Sequence, residues 1–299
     1  MAEESQLLDA AALNRLMHLT LLARTPMEGN VSGHHKSPHR GSSVEFAEYR
    51  NYVPGDDTRR LDWRVFARTD RFYLKEYEAE TNLRCYFVLD CSGSMKFAGA
   101  NGTKLDYARR MAATLAYITV HQGDAVGLVC SGQKSFFEIP PRRNPSHLKL
   151  IFDTLEKAEP RGPTGLIEAL HDLAEKVRRR ALVIVISDFF CDLEPLVNAF
   201  QHLRFQKHDL ALFQLLDRAE MDFQFDRPVR FVDLESPLSI VTEPSSIRDE
   251  YLRQLGLFLE QLREGCHEFG ADYRRVITDE SYERVLADFL VERSRGTGK

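Results

Sequence analysis

The chain has 299 residues, of which 43% are hydrophobic and 28% charged, the balance of a folded globular protein with room for one large domain and an accessory lobe. A formal net charge of −5 at pH 7 argues against nucleic acid as the main partner. Five cysteines, an odd number without the spacing of a disulfide framework, indicate free thiols in a reducing compartment.

The first segment predicts an amphipathic helix over residues 5–24. Its apolar stretch, Leu7 to Leu22, is interrupted by charged and polar residues, so it does not have the pattern of a membrane span. The preceding Met1-Ala2-Glu3-Glu4 is acidic where a secretory signal needs positive charge. We therefore expect a cytoplasmic protein with no direct membrane span.

The next segment has the pattern of a small β region. A Gly/Ser/His-rich loop at residues 29–43 precedes two stretches predicted as extended, Val44–Val53 and Leu61–Tyr77. Between them lies Pro54-Gly55-Asp56-Asp57, which has the composition of a tight turn. We predict that residues 1–80 form an N-terminal helix and this β region.

From residue 83 onward, apolar strands alternate with helices. The alternation predicts an α/β fold for residues 81–299, with a doubly wound, mostly parallel sheet flanked by helices. The predicted strands are Leu83–Leu89, Ala125–Cys130, Ser135–Ile139, Ala181–Ile186, Leu210–Leu215 and Tyr273–Ile277. The predicted helices are Thr103–His121, Ser146–Lys157, Leu166–Arg180, Glu194–Phe205, Arg248–Glu268 and Ser281–Glu292.

One segment of this second region has the pattern of a β hairpin instead. Within residues 223–243, Val229–Leu234 and Leu238–Thr242 are predicted strands around a Ser236-Pro237 turn. We predict that this hairpin joins the β region of residues 44–77 as an accessory lobe beside the sheet.

Oxygen-bearing side chains follow two of the predicted strands. Asp90, Ser92 and Ser94 come directly after the first strand, and Asp188 follows Ala181–Ile186. Thr164 lies in a Gly-Pro-Thr-Gly loop that opens a helix. Because the carboxyl ends of parallel strands meet at one edge of a sheet, these groups are expected to converge there.

Carboxylates and hydroxyls in this arrangement predict a site for Mg²⁺, with Mn²⁺ or Ca²⁺ as alternatives. Direct hydroxyl ligands would leave the charge of the cation incompletely neutralised, which favours a further carboxylate from another protein and occupancy that depends on that partner. Two other interpretations stay open: Asp90 and Ser92 as a strand-end turn with local hydrogen bonds, and Thr164 as a helix N-cap.

The same residues carry a resemblance. Asp90-x-Ser92-x-Ser94, Thr164 and Asp188 resemble the metal-ion-dependent adhesion site of von Willebrand factor A domains. The flanking sequence resembles the domain of unknown function 58 family, bacterial proteins that contain this domain. The motifs that carry the likeness are Glu45-Phe46-x-x-Tyr49-Arg50-x-Tyr52-x-Pro54-Gly55-Asp56-Asp57, Leu61-Asp62-Trp63, Phe231-x-Asp233-Leu234-Glu235 and Tyr273-x-x-x-Ile277-Thr278-Asp279.

The resemblance implies a function in binding rather than catalysis. Members of that family accompany MoxR-type AAA+ ATPases, so we expect a non-enzymatic adaptor or co-chaperone that binds such an ATPase, a client protein, or both. The alternative is a metal-assisted phosphohydrolase using the same site. Position 92 is Ser where an Asp-x-Asp nucleophile motif has its second carboxylate, and the chain has no phosphate loop of its own. The oligomeric state stays open.

Overall fold

The computed structural model describes residues 7–24, 35–36, 45–51, 63–69, 71–78, 80–81, 83–99, 102–132, 137–225 and 227–296. The chain divides into two compact units, one of residues 25–83 and one of residues 1–24 together with 84–299. Among the described residues, no helix combines the length and the apolar character that crossing a membrane requires.

Helix α1 (Ala10–Leu16) is shorter than the predicted helix over residues 5–24. Its start is set by Asp9, whose side chain accepts hydrogen bonds from the backbone N–H groups of Ala11 and Ala12. On the larger unit, Arg15 forms an ion pair with Glu283, at 3.0 Å. The helix therefore groups with the α/β unit, whereas our predicted division places it with the β region.

The smaller unit contains the predicted β region, with one correction. Its elements are β1 (His35–Lys36), β2 (Glu45–Asn51), α2 (Trp63–Thr69), β3 (Tyr73–Glu78) and β4 (Glu80–Thr81). Strands β2 and β3 pair antiparallel. The prediction of extended structure over 61–77 is wrong for α2, because Trp63 and Phe66 recur at helical spacing. The predicted turn at residues 54–57 lies outside the described residues.

The larger unit contains a six-stranded sheet in the order β14-β11-β10-β5-β8-β9. Every neighbouring pair is parallel except β8 with β9, which is antiparallel. The strands of this unit are β5 (Arg84–Asp90), β6 (Ala98–Gly99), β7 (Gly102–Thr103), β8 (Ala125–Ser131), β9 (Phe137–Arg142), β10 (Leu182–Ser187), β11 (Asp209–Leu216), β12 (Val229–Val232), β13 (Ser239–Thr242) and β14 (Asp272–Ile277).

Helices cover both faces of this sheet, so the predicted α/β class and doubly wound architecture are confirmed. Alternate residues of β10, all of them buried, pack against α5, α6 and α8 on one face. On the other face, Phe213 packs edge-on against Phe289 of α9, with ring centroids 4.9 Å apart. The helices are α3 (Lys104–His121), α4 (Pro145–Lys157), α5 (Leu166–Lys176), α6 (Leu193–Phe205), α7 (Arg218–Asp222), α8 (Pro244–Glu268) and α9 (Tyr282–Gly296).

The predicted hairpin forms as β12 and β13, which pair antiparallel apart from the six-stranded sheet. An aromatic cluster holds its base, where the ring of Phe231 stacks on that of Phe223 at 5.4 Å and meets Phe225 edge-on. Its association with residues 44–77 stays a prediction.

Candidate functional site

The candidate site lies where the strand order of the sheet reverses. Strand β5, the first of the six along the chain, is flanked by β8 on one side and by β10 on the other. In open α/β sheets, the crevice outside the carboxyl ends of the strands at such a switch point is the usual place for a ligand. The parallel register pairs Ile186 with Leu89, so β10 and β5 bring Ser187 beside Asp90 at this edge.

Asp90 is the centre of the site, with only 2% of its surface exposed. Its Oδ2 atom accepts a hydrogen bond from the hydroxyl of Ser187 at 2.6 Å, and its Oδ1 atom accepts one from the backbone N–H of Ser92 at 2.9 Å. Burial, followed by the nearby charge of Asp188, raises the pKa of Asp90 to about 6, although these hydrogen bonds oppose the rise.

The hydroxyls of Ser92 and Thr164 contact the carboxylate of Asp90, and the hydroxyl of Ser94 contacts that of Ser92. The Oγ atoms of Ser92 and Ser94 are 2.9 Å apart, and the Oγ1 atom of Thr164 lies 3.5 Å from each oxygen of Asp90. A hydrogen bond of 2.7 Å from the N–H of Gly93 to the carbonyl of Gly162 joins the two loops. The structure therefore brings together four of the five residues that the sequence predicts.

The N-cap of α5 is Gly165, so the interpretation of Thr164 as the N-cap is wrong, and Thr164 lies one residue before it. Its hydroxyl oxygen accepts a hydrogen bond from the N–H of Leu166, at 3.2 Å, at the start of α5. The same hydroxyl lies within donor distance of Asp90. The local hydrogen bond from Leu166 therefore restrains the Thr164 hydroxyl near the carboxylate of Asp90.

Asp188, the fifth predicted residue, is buried beside the others but has a different partner. The ammonium of Lys104 lies 2.7 Å from its Oδ2 atom and 2.7 Å from the Oε1 atom of Glu220. Burial alone would lower the pKa of Lys104, but the two carboxylates outweigh it and the pKa is raised. The ring of Phe190 lies 5.2 Å from the same ammonium. Asp188 therefore already has a counter-ion.

Ser187 and Lys104 are residues of this site that sequence reasoning missed. Ser187 stands at the end of a buried strand, directly before Asp188, and that place is a usable signal. Lys104 had no signal, because a lysine directly after the N-cap of a helix ordinarily lies in solvent; here it is 1% exposed.

The donor set fits a hard cation of the Mg²⁺ type. Hydroxyl and carboxylate oxygens are the ligands that such ions prefer, and Asp90, Ser92, Ser94 and Thr164 offer only oxygens. In the described part of the chain, no group of three or more His, Cys, Asp or Glu side chains is arranged to hold a metal. A cation at this site would therefore depend on neutral hydroxyls.

A fourth carboxylate approaches the mouth of the site from the β12–β13 hairpin. Glu235 accepts a hydrogen bond from the backbone N–H of Ser94 through its Oε1 atom, at 3.4 Å, and one from the N–H of Thr164 through its Oε2 atom, at 3.2 Å. These two donors belong to the two loops that carry the hydroxyls. One carboxylate therefore bridges both loops.

Known proteins similar to this chain include relatives along nearly its whole length. An uncharacterized protein of Mycobacterium tuberculosis, Rv1480, is 29% identical over 296 residues, which is 96% of this chain and 90% of the relative. The uncharacterized protein YeaD of Bacillus subtilis is 30% identical over 114 residues, covering 38% of this chain and 26% of the relative.

Similar solved structures include the conserved hypothetical protein BatB of Bacteroides thetaiotaomicron, with 19% identity, a TM-score of 0.49, and coverage of 72% of this chain and 100% of that one. A von Willebrand factor type A protein of Catenulispora acidiphila has 12% identity, a TM-score of 0.44, and coverage of 75% and 45%. At the level of families, residues 48–256 match the family described as protein of unknown function DUF58, and the chain belongs to that family.

Proposed function

We propose that this protein is a non-enzymatic, metal-dependent binding module that docks an acidic side chain of a partner protein. The observation that carries the proposal is the buried carboxylate of Asp90 at the switch point of the sheet, with the hydroxyl of Thr164 and the paired hydroxyls of Ser92 and Ser94 beside it. A Mg²⁺ or Mn²⁺ ion at this position would bind Asp90, Ser92, Ser94 and Thr164, with water completing its shell.

The charge balance of the site favours binding of a carboxylate from a partner over full neutralisation of the cation by the site's own residues. Because Lys104 already neutralises Asp188, we expect this carboxylate to act toward the cation through water at most. Asp90 would then be the one directly bound anion for a doubly charged ion. The residual positive charge supports binding of a further carboxylate, and a protein partner is the source we propose.

The proposed partner is a MoxR-type AAA+ ATPase, a client protein, or both, with this chain as adaptor or co-chaperone. This part of the proposal rests on the family resemblance of the N-terminal and site motifs. The proposed partner does not depend on the oligomeric state of the protein.

Calorimetric titration with Mn²⁺ and Mg²⁺ tests the metal site. We expect saturable binding to the native chain and at least a tenfold loss, about 1.4 kcal/mol, in the Asp90→Asn variant. Asp192→Asn is the matched control, since Asp192 is exposed and its side chain does not cap α6. Equal titrations of the native chain and Asp90→Asn would refute metal binding at Asp90.

Binding of a purified MoxR-type ATPase from the same organism tests the partner. We expect capture that requires the divalent cation and is lost with a chelator and with Asp90→Asn. Hydrolysis of p-nitrophenyl phosphate that disappears in Asp90→Asn would instead favour the phosphohydrolase. The structure does not present Asp90 as an exposed nucleophile, because both of its oxygens accept hydrogen bonds.

A further inference from the structure

The carboxylate of Glu235 lies between the two loops that carry the hydroxyls of the site. Its two oxygens accept from Ser94 at 3.4 Å and from Thr164 at 3.2 Å, so each oxygen is directed to a different loop of the site. Ser94 is 141 residues from Glu235 in sequence and Thr164 is 71. The contact is therefore a product of the tertiary fold and not of local chain geometry.

The tip of the hairpin is ordered in a way that presents this side chain. The backbone N–H of Glu235 donates to the Oδ1 atom of Asp233 at 2.9 Å, and the hydroxyl of Ser236 donates to the other oxygen of Asp233. The N–H of Asp233 donates to the carbonyl of Leu238 at 2.9 Å, which closes the turn. The turn is thus held by its own hydrogen bonds while Glu235 points away from them.

The site loop is shaped to receive this tip. A Cβ atom added to Gly93 would lie 2.0 Å from the carbonyl oxygen of Leu234, closer than any side chain tolerates. Glycine at position 93 therefore allows the backbone of the tip to lie directly against the loop that carries Ser92 and Ser94.

The hairpin contributes little to the main sheet. Among the described residues its two strands pair with each other alone, and a two-stranded hairpin is marginally stable by itself. Leu238, Ile240 and Val241 are 69%, 64% and 74% exposed, so β13 adds little to the buried core. The aromatic contacts of Phe231 hold the base of the hairpin and do not involve its tip.

We propose that Glu235 is a built-in ligand of the adhesion site, and that a partner's acidic side chain must displace it to bind. The partner then presents its carboxylate on a turn of its own chain. The N–H groups of Ser94 and Thr164, together with the cation, hold that carboxylate. The role of the cation and of the partner rests on the proposed function; the contact between Glu235 and the two N–H groups does not.

Amide hydrogen exchange in metal-free protein tests the contact directly. In Glu235→Gln, one of the two acceptor oxygens is replaced by an NH2 donor, so one backbone N–H loses its acceptor, and we expect exchange at Ser94 or Thr164 to accelerate about tenfold. Glu243→Gln is the matched control, since Glu243 is exposed beyond the hairpin and makes no cap hydrogen bond. Unchanged exchange in Glu235→Gln would overturn the built-in ligand.

A second variant approaches the same contact from the opposite side. Gly93→Ala should displace the tip and accelerate exchange at Thr164, because the added methyl group meets the carbonyl of Leu234. Gly256→Ala is its control, since a Cβ there meets nothing within 4 Å. If Thr164 exchanges in Gly93→Ala as it does in the native chain, the tip does not depend on this approach and the proposal fails.

Competition is tested with a synthetic peptide of residues 229–241, added with Mn²⁺ and followed by fluorescence anisotropy. We expect Glu235→Gln protein to bind it at least tenfold more tightly than the native chain, about 1.4 kcal/mol, because its site is vacated. A peptide with Gln in place of its Glu should not bind. Equal affinity of the two proteins, including no binding to either, would overturn the competition.

The two proposals fail in different ways. If no protein, Glu235→Gln included, binds Mn²⁺ in calorimetry, the metal-dependent function is wrong, while hydrogen exchange still decides the contact of Glu235. If Mn²⁺ binds but exchange at Ser94 and Thr164 is insensitive to Glu235→Gln, the metal site stands and the built-in ligand is wrong.

Discussion

Asp90 and Asp188 end neighbouring strands, but the groups that surround them differ in charge. Asp188 lies 2.7 Å from the ammonium of Lys104, whereas Asp90 is held by the hydroxyl of Ser187 and the N–H of Ser92. A buried cation, shared with Glu220, thus pairs with Asp188, whereas Asp90 is surrounded by neutral donors that stabilise its charge without cancelling it. On the proposed function, we therefore expect Asp90 rather than Asp188 to bind the divalent cation.

The burial of Lys104 leads to a stability prediction. Lys104→Met leaves Asp188 and Glu220 buried without their counter-ion, and we expect unfolding in urea to show a loss of about 3 kcal/mol. Lys96→Met is the control, because Lys96 is exposed. Adding Glu220→Gln to Lys104→Met should recover on the order of 1 kcal/mol. A Lys104→Met protein as stable as the control would show that this ion pair contributes nothing.

The buried imidazole of His208 should make the free energy of unfolding depend on pH. Burial lowers its pKa from 6.5 to about 4, and its Nδ1 atom accepts the N–H of Ala181 at 3.2 Å. Between these two values the unfolded chain binds a proton that the folded chain does not, so stability is complete above 6.5 and is lost as the pH falls. From about pH 7 to about pH 5 the loss from this group is about 2 kcal/mol.

Replacing His208 by a residue that does not titrate should reduce the loss of stability at acidic pH. Gln at position 208 can still accept from the backbone of residue 181 but does not titrate, so His208→Gln should lose less stability than the native chain between the two pH values. His121→Gln, at the exposed end of α3, should keep the native slope. Urea unfolding at both pH values provides the measurement, and equal slopes for His208→Gln and the native chain would contradict the assignment.

At the scale of elements, a buried charge network fastens α9 and the N-terminal segment to the edge of the sheet opposite the site. Arg293 is fully buried and binds Asp209 at the start of β11, Asp272 at the start of β14 at 3.3 Å, and the carbonyl of Leu22 at 2.6 Å. The backbone N–H of Arg24 also donates to Asp209, at 2.7 Å. This network explains why the first residues belong to the α/β unit.

Loss of this arginine should affect stability and the N-terminal segment together. We expect Arg293→Met to lower the free energy of unfolding by about 3 kcal/mol, because the carboxylate of Asp209 stays buried without its counter-ion, while Asp272 keeps an ion pair with Arg24 at 3.1 Å. Hydrogen exchange over residues 21–24 should accelerate in the same variant. Arg295→Met, two residues further along α9 and exposed, should change neither quantity. Protection of residues 21–24 that survives Arg293→Met would argue against the network.

The prediction of strands and helices from the sequence succeeded where the apolar pattern is strong, and it failed where the patterned segment is short. The six strands of the main sheet were all predicted, because continuous apolar runs such as Ala181–Ile186 are characteristic of buried parallel strands. Helix α2 was missed because a seven-residue helix gives too few turns to distinguish its spacing from that of an extended segment.

At the scale of the whole molecule, metal binding should couple to global stability. A ligand that binds the folded state alone stabilises it by mass action, by about 2.7 kcal/mol at a concentration a hundredfold above its dissociation constant. We therefore expect thermal unfolding of the native chain to shift upward with Mn²⁺, and that of Asp90→Asn not to shift. Asp192→Asn should follow the native chain, and an equal shift in Asp90→Asn would place the binding elsewhere.

The sequence by itself determined the fold class and four residues of the candidate site, because strand order along the chain and the right-handed crossover place the strand ends on one edge. Only the tertiary structure decided the charges of that site. Lys104 is 84 residues from Asp188, and Glu235 is 141 from Ser94, so neither contact has a local pattern that sequence could reveal. Each depends on how helices and a hairpin pack over the sheet, which is where burial selects the pairs that neutralise one another.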